Sequence, residues 1–408
     1  MVCKNGVRIV LENIPTVRSV AIGVWIHTGS KDENLVNNGI SHFLEHMFFK
    51  GTKTKSAKEI AESFDSIGGQ VNAFTSKEYT CYYAKVMDTH AKFALDVLAD
   101  MFFNSTFDQT ELNKEKNVVN EEIKMYEDAP DDIVHDLVAR AAFGDHSLAY
   151  PILGTKETLD SFDSQKLKDY VRDMYTPEKV VISVAGNISE DFMNEVEALF
   201  GQYDNQKVDV EQHSVAFMPN KLARKKETEQ AHLCMAFEGL PIGHKKNYHL
   251  TILNNILGGT MSSRLFQDVR EEKGLAYSVF SYQSTYKDIG LVTLYGGTGN
   301  EQLDELYNTM KQTVDTLVEH GITEKELANS KEQLKGGLML SLESTNSRMS
   351  RNGKNELLLG RHKSLDEMVE QIDAVTLEEV NELAKEIFSK DCAVAVINPT
   401  GTLPSQCQ

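Results

Sequence analysis

Two stretches of this 408-residue chain read as one piece of structure used twice. Residues 106–123 contain Glu111-Leu112 followed by a long amphipathic helical pattern, and residues 322–338 contain Glu326-Leu327 followed by another. The order of elements around them also repeats. In the first half, Val7–Ile14 and Val17–Thr28 are rich in valine and isoleucine, are divided by Asn13-Ile14-Pro15, and read as strands. Gly39–Phe49 reads as a short helix and Ser56–Ile67 as a helix stopped by Gly68-Gly69. Val71–Val86 reads as paired strands, Ala91–Phe103 and Gln109–Tyr126 as helices, and Val180–Ala185 as a strand. The polar stretch Tyr203–Gln212 and the basic run Lys221–Lys226 interrupt this order. It then restarts: Ala231–Phe237 strand, Tyr248–Leu257 helix, Ala276–Tyr286 and Gly290–Gly297 strands, Glu301–Leu317 helix. An internal duplication restricts the chain to two copies of one α+β plan, with expected domains at 1–210 and 221–408.

A chain of this length can bury a full core in each half. At 41% apolar and 25% charged its composition is that of a globular protein. It has no apolar run near the ~20 residues of a membrane span. Met1-Val2-Cys3-Lys4-Asn5-Gly6 leads straight into a strand pattern, so no targeting segment and no membrane partner is expected. Cys3, Cys81, Cys234, Cys392 and Cys407 are odd in number and scattered, which argues against a disulfide framework and for a reducing cytoplasm. The formal charge of -19 makes nucleic acid an unsuitable partner, because phosphate binding needs clustered lysine and arginine.

The short helix of the first half carries His42-Phe43-Leu44-Glu45-His46. At 100° per residue the two histidines lie about 40° apart, one turn up at roughly 6 Å, so both imidazoles can reach one ion. Glu45 lies about 60° to the other side of His42, on the same face. It can reach a water without binding the metal. Two neutral nitrogens plus a carboxylate base are what zinc-assisted hydrolysis requires. The order is the reverse of the commoner His-Glu-x-x-His. Two structural histidines on one helix would give the same five letters, so the motif needs a third ligand from elsewhere.

The helix Gln109–Tyr126 offers one. With Glu122 at 0°, Val118, Val119, Ile123, Met125 and Tyr126 fall between about -60° and +100°, placing Glu122 in the middle of an apolar arc. Glu121 falls on the polar side. A carboxylate on a core-facing stripe is costly unless paired, and a zinc ion or a buried salt bridge would pair it. Glu115 lies about 20° away on the same face, two turns earlier, and suits a role orienting a ligand histidine. In the second half, matching Glu111 to Glu326 places Gly337 opposite Glu122. Matching Gly51-Thr52 to Gly259-Thr260 places Leu250, Leu253 and Asn254 opposite His42, Glu45 and His46. Any metal site is therefore expected in the first half alone, one Zn2+ per chain.

Glu122 follows His46 by 76 positions. With the motif, that spacing resembles the inverted zinc peptidase family that includes pitrilysin, insulin-degrading enzyme and mitochondrial processing peptidase. Asn38-Gly39, Gly51-Thr52, the run Gly68-Gly69-Gln70-Val71-Asn72-Ala73-Phe74-Thr75, Thr80 and Tyr82-Tyr83 extend the likeness over nearly the whole chain. The length is similar to the small bacterial processing-protease branch. The resemblance implies two homologous α+β domains, each a mainly antiparallel sheet flanked by helices, the first catalytic and the second without metal ligands. It implies His42, His46 and Glu122 as zinc ligands, Glu45 as general base and Glu115 as an assisting residue. In the second half, Gly258–Leu265 leads to Arg270, and Gly274-Leu275-Ala276-Tyr277 follows; Arg270 and Tyr277 match the family's arginine–tyrosine pair. By that resemblance Arg270 holds a substrate carbonyl and Tyr277 donates to the oxyanion. Asn72, Ala73 and Phe74 would pair with an extended substrate by strand addition. The expected activity is a zinc endopeptidase, a homodimer acting on peptides or unfolded segments inside an enclosed chamber. The alternative is a non-catalytic subunit of a processing or structural complex.

Overall fold

The computed structural model describes residues 1–189, 191–205 and 214–407, and in it the repeat becomes explicit as sheet topology. The first sheet is built from β1 (Arg8–Asn13), β2 (Ser19–Ile26), β3 (Gln70–Thr75), β4 (Thr80–Met87) and β5 (Val180–Gly186). The second is built from β6 (Lys221–Lys225), β7 (Gln230–Gly239), β8 (Ala276–Thr285), β9 (Gly290–Gly299) and β10 (Ala393–Asn398). The strand orders are β1-β5-β2-β4-β3 and β6-β10-β7-β9-β8, the same order when each set is counted from its own start. Each sheet has one parallel pair, β1 with β5 and β6 with β10, and is otherwise antiparallel.

Burial on both faces explains the apolar runs that mark the central strands. In β2, Val20, Ile22, Val24 and Ile26 face a core shared with Phe43, Leu44 and Met47 of the motif helix (Ile40–Met47). Ala21 and Trp25 face the other way, onto Cys81, Val181, Ala185, Met349 and Leu357.

Met349 and Leu357 belong to the helix Thr345–Leu359, far along the chain, which covers the first sheet. The compact units are accordingly not contiguous in sequence. One comprises residues 1–125, 150–212 and 340–362; the other comprises 126–149, 213–339 and 363–408. The linear expectation of 1–210 and 221–408 differs from this by two exchanged segments. The helix Pro130–Phe143 in return packs Ile133, Val134, Val138 and Ala142 on Cys234, Ala236, Leu291 and Ala395 of the second sheet.

The run at Lys221–Lys226, read as an interruption, is instead β6, paired in parallel with β10. Its exposed lysines and arginine suit an edge strand, where charge guards against pairing with other chains. Most of Tyr203–Gln212 lies outside the described residues. All five cysteines are free thiols. Among the described residues, no helix is long and apolar enough to cross a membrane.

Candidate active site

The motif helix begins at a point where only glycine fits. Gly39 has φ +90°, and a Cβ there would lie 2.7 Å from Leu153 O and 2.8 Å from Gly154 Cα. No side chain of the helix caps its first N–H groups; Glu33 does so from outside. Its buried carboxylate accepts from Gly39 N at 2.7 Å, Ser41 N at 2.8 Å and Asn38 Nδ2 at 2.9 Å. Burial pushes the Glu33 carboxyl up to about 7, with these donors pulling it back.

With Phe43, Leu44 and Met47 locked in the core, His42 and His46 project from the opposite stripe, their ring centroids 4.7 Å apart. The long helix Gln109–Asp128 runs past them and supplies both glutamates. His46 Nδ1 meets Glu115 Oε1 at 2.8 Å, and Glu115 Oε2 accepts from Lys50 Nζ at 2.6 Å. Glu122 faces the other imidazole nitrogens: Oε1 is 3.6 Å from His42 Nε2 and Oε2 is 3.5 Å from His46 Nε2. A stitched loop sets this approach. Lys53 N donates to Asn104 O at 2.9 Å, Thr106 N to Gly51 O at 3.2 Å, and Phe107, with φ +48°, stands edge-on to Phe48 at 5.3 Å.

Ligand atoms of His42, His46 and Glu122 all lie within 4.8 Å of one another, the only such group among the described residues. Three observations test whether the set fits a zinc ion. The 3.5 and 3.6 Å separations are long for hydrogen bonds, whereas ligands bound to a tetrahedral zinc lie roughly 3.3–3.5 Å apart. Burial, then the neighbouring His46, holds the His42 imidazole well below its usual range, hence neutral and able to ligate. Burial alone would lower His46, but its hydrogen bond to Glu115 and the negative charges of Glu122 and Glu115 carry it up to about 9. Two carboxylates converging on one imidazole favour positive charge at this point, and a divalent ion would supply it.

Glu45 stands beside this set. Burial raises its carboxyl, and a 2.6 Å hydrogen bond donated by Thr75 Oγ1 to Oε2 opposes the rise. Asn72 is exposed on β3, and its Oδ1 accepts the Ala73 N–H at 2.8 Å. Phe74 points away from the histidines, edge-on to Trp25 at 5.5 Å and to Tyr79 at 6.2 Å. Its side chain belongs to the packing under the helix Thr345–Leu359.

Arg270 and Tyr277 lie in the second unit and meet there. The Arg270 guanidinium sits 4.7 Å from the Phe266 ring centroid and 4.6 Å from that of Tyr277. Tyr277 is 80% exposed at the start of β8, where a register shift between Ala276 and Ser278 breaks the ladder. The positions matched to the motif carry no ligand set. Leu250 and Leu253 are core residues, and a Cβ at Gly337 would meet nothing within 4 Å.

Sequence reasoning passed over Glu33, Lys50 and Phe266. Glu33 carried a faint signal, an acidic residue just ahead of a helix start. Lys50 and Phe266 act through contacts that only the fold creates.

The chain is similar to known proteins along nearly its whole length. Residues 8–156 match the family model described as insulinase, peptidase family M16, and residues 161–334 match that of the peptidase M16 inactive domain. An uncharacterized zinc protease of Bacillus subtilis is 68% identical over 403 residues, spanning 99% of this chain and 98% of its own. An uncharacterized zinc protease of Streptomyces coelicolor is 39% identical, spanning 97% of this chain and 88% of its own. The crystal structure of a protease from Helicobacter pylori superposes with a TM-score of 0.92 at 21% identity, covering 98% of each chain, which speaks to the fold.

Proposed function

We propose a zinc endopeptidase, from the premise that this chain belongs to peptidase family M16, the insulinase family. The observation that carries the proposal is the convergence of His42, His46 and Glu122 with Glu45 beside them. A relative lacking part of that set could not hold the metal; this chain has all of it. His42 Nε2, His46 Nε2 and Glu122 would hold zinc, which supplies Lewis acidity and lowers the pKa of water at the site. Glu115 fixes the His46 ring through Nδ1. Glu45 has Oε2 engaged by Thr75, leaving Oε1 to take a proton from the attacking water and return it to the departing amine nitrogen. An extended peptide pairs with the edge of β3 around Ala73. Arg270 and Tyr277 serve a substrate carbonyl and the oxyanion respectively. The working form is taken to be a homodimer acting on peptides or unfolded segments.

Metal analysis and digestion of an unstructured peptide test the reading together. About one zinc per chain is expected in both wild type and Glu45→Gln, with cleavage by wild type alone. Glu122→Ala should lose zinc, while Glu121→Ala should keep it. Zinc-loaded wild type that leaves every peptide intact would favour the non-catalytic subunit instead. Light scattering at assay concentration tests the dimer, a monomeric mass counting against it.

A further inference from the structure

We propose that Thr75 is a positioning residue tying the base Glu45 to the strand on which substrate lies, an inference that rests on the endopeptidase reading. β3 is the last strand of its sheet, so one of its edges pairs with no other strand among the described residues. The hairpin fixes which groups face that edge. Ser76 N donates to Tyr79 O at 2.8 Å, making those residues a hydrogen-bonded pair. Such pairs alternate along an antiparallel ladder. Phe74 with Cys81 and Asn72 with Tyr83 are therefore bonded across to β4, and the backbone groups of Thr75, Ala73 and Val71 point outward. The outward Ala73 N–H is the one that Asn72 Oδ1 engages.

Side chains alternate as well. Val71 and Ala73 pack toward the core that holds the motif helix, whereas Phe74 packs on the opposite face with Trp25. Thr75 shares the face of Val71 and Ala73. It thus offers its backbone to the open edge and its hydroxyl to the motif helix, where Oγ1 donates to Glu45 Oε2 at 2.6 Å. A peptide pairing with this edge and the carboxylate that serves it are then registered through a single residue. A glutamate side chain otherwise samples several rotamers, and misplacement of a catalytic group by about 1 Å can cost on the order of 100-fold in rate. The Thr75 hydroxyl removes that freedom and leaves Oε1 as the oxygen available to water.

The test uses the zinc-loaded full chain, an unstructured peptide, and the variants Thr75→Val and Thr75→Ser. Valine keeps the shape and removes the hydroxyl; serine keeps the hydroxyl. Thr75→Val should lower kcat on the order of 10-fold or more, with KM within about twofold of wild type and zinc content unchanged, and Thr75→Ser should recover most of the loss. A second readout needs no turnover. In a crystal structure of metal-free Thr75→Val, Glu45 should leave its wild-type rotamer while the β3–β4 register stays. Wild-type kcat in Thr75→Val, a loss that serine does not recover, or an unmoved Glu45 would overturn the inference. If wild type itself cleaves nothing, the endopeptidase reading fails, and the position of Glu45 in the valine variant still decides the role of Thr75.

Discussion

Glu115 is held from two sides, by His46 Nδ1 at 2.8 Å and Lys50 Nζ at 2.6 Å, and is almost wholly buried. Glu115→Gln keeps the volume but turns an amide N–H2 toward one of two donors and removes the charge behind His46. Zinc affinity should fall about 10–100-fold, read by competition against a chromogenic chelator, with the fold intact by circular dichroism. An unchanged affinity would mean that His46 is oriented by packing alone. Phe266 is the counterpart in the second unit, since it forms one wall of the bracket around Arg270. Phe266→Leu should remove a cation–π contact of about 0.5–2 kcal/mol, lowering kcat/KM several-fold without touching zinc content, and Phe266→Tyr should retain it. Equal kinetics for all three chains would assign Phe266 to packing only. Helix phase singled out Glu122 and Glu115, which the structure brings beside His42 and His46, though its premise needed adjusting. Val118 and Met125, expected on a core-facing arc, are 52% and 71% exposed. The core side is marked by Leu112, Glu115 and Val119, and Glu122 stands at the border between core and open surface. A carboxylate that must both ligate and remain reachable belongs at such a border rather than in the middle of a buried stripe.

The motif helix has eight residues, too few to be stable alone. Its histidines are fixed because Phe43, Leu44 and Met47 anchor one face and Glu33 anchors its start. That anchor has a pH signature. A carboxyl raised from the ordinary 4.5 to about 7 in the folded chain binds its proton more tightly folded than unfolded. Its contribution to stability is full below pH 4.5 and is lost as pH rises through about 7, a swing of about 3 kcal/mol. Glu33→Gln does not titrate. Comparing denaturant midpoints of the two proteins, wild type should lose ground relative to the variant between pH 5 and pH 8. A constant gap would mean that Glu33 stays ionised throughout, its three N–H donors outweighing its burial. Elements such as β2, β4 and the long helix were legible because their apolar periodicity is strong. β6 was not, because Lys221, Arg224 and Lys225 hide a strand whose only obligation is to pair with β10. The thin sequence signal is inherent to an edge, where no face needs to be apolar all along.

The two ground plans were visible in the sequence, yet the segments that complete each unit were not, because an exchanged helix carries no sign of which sheet it covers. Thr345–Leu359 is fitted closely to the first sheet. Trp25 Nε1 donates to Met349 Sδ at 3.3 Å, Ser183 Oγ to Met349 O at 2.7 Å, and Asn352 Nδ2 to Glu12 Oε2 at 2.6 Å. At Gly353, a Cβ would come within 2.3 Å of Trp25 Nε1, so Gly353→Ala should destabilise the unit that carries the proposed zinc ligands from a position in the other half of the sequence. The same geometry decides what happens when the chain is cut. A fragment of residues 1–210 would contain every proposed zinc ligand but lack the cover over Ala21, Trp25, Val181 and Ala185. It would also carry Pro130–Phe143 with Ile133, Val134 and Val138 deprived of their sheet. Each large apolar side chain left exposed forfeits about 1.5–3 kcal/mol, and a domain's whole stability is about 5–15 kcal/mol. The fragment alone should therefore be insoluble or unfolded and should bind no zinc. Co-expression with residues 221–408 should restore a soluble, zinc-binding complex of the two pieces. A fragment 1–210 that folds cooperatively by itself and holds one zinc would show that the exchange is dispensable and that the linear halves are the true folding units.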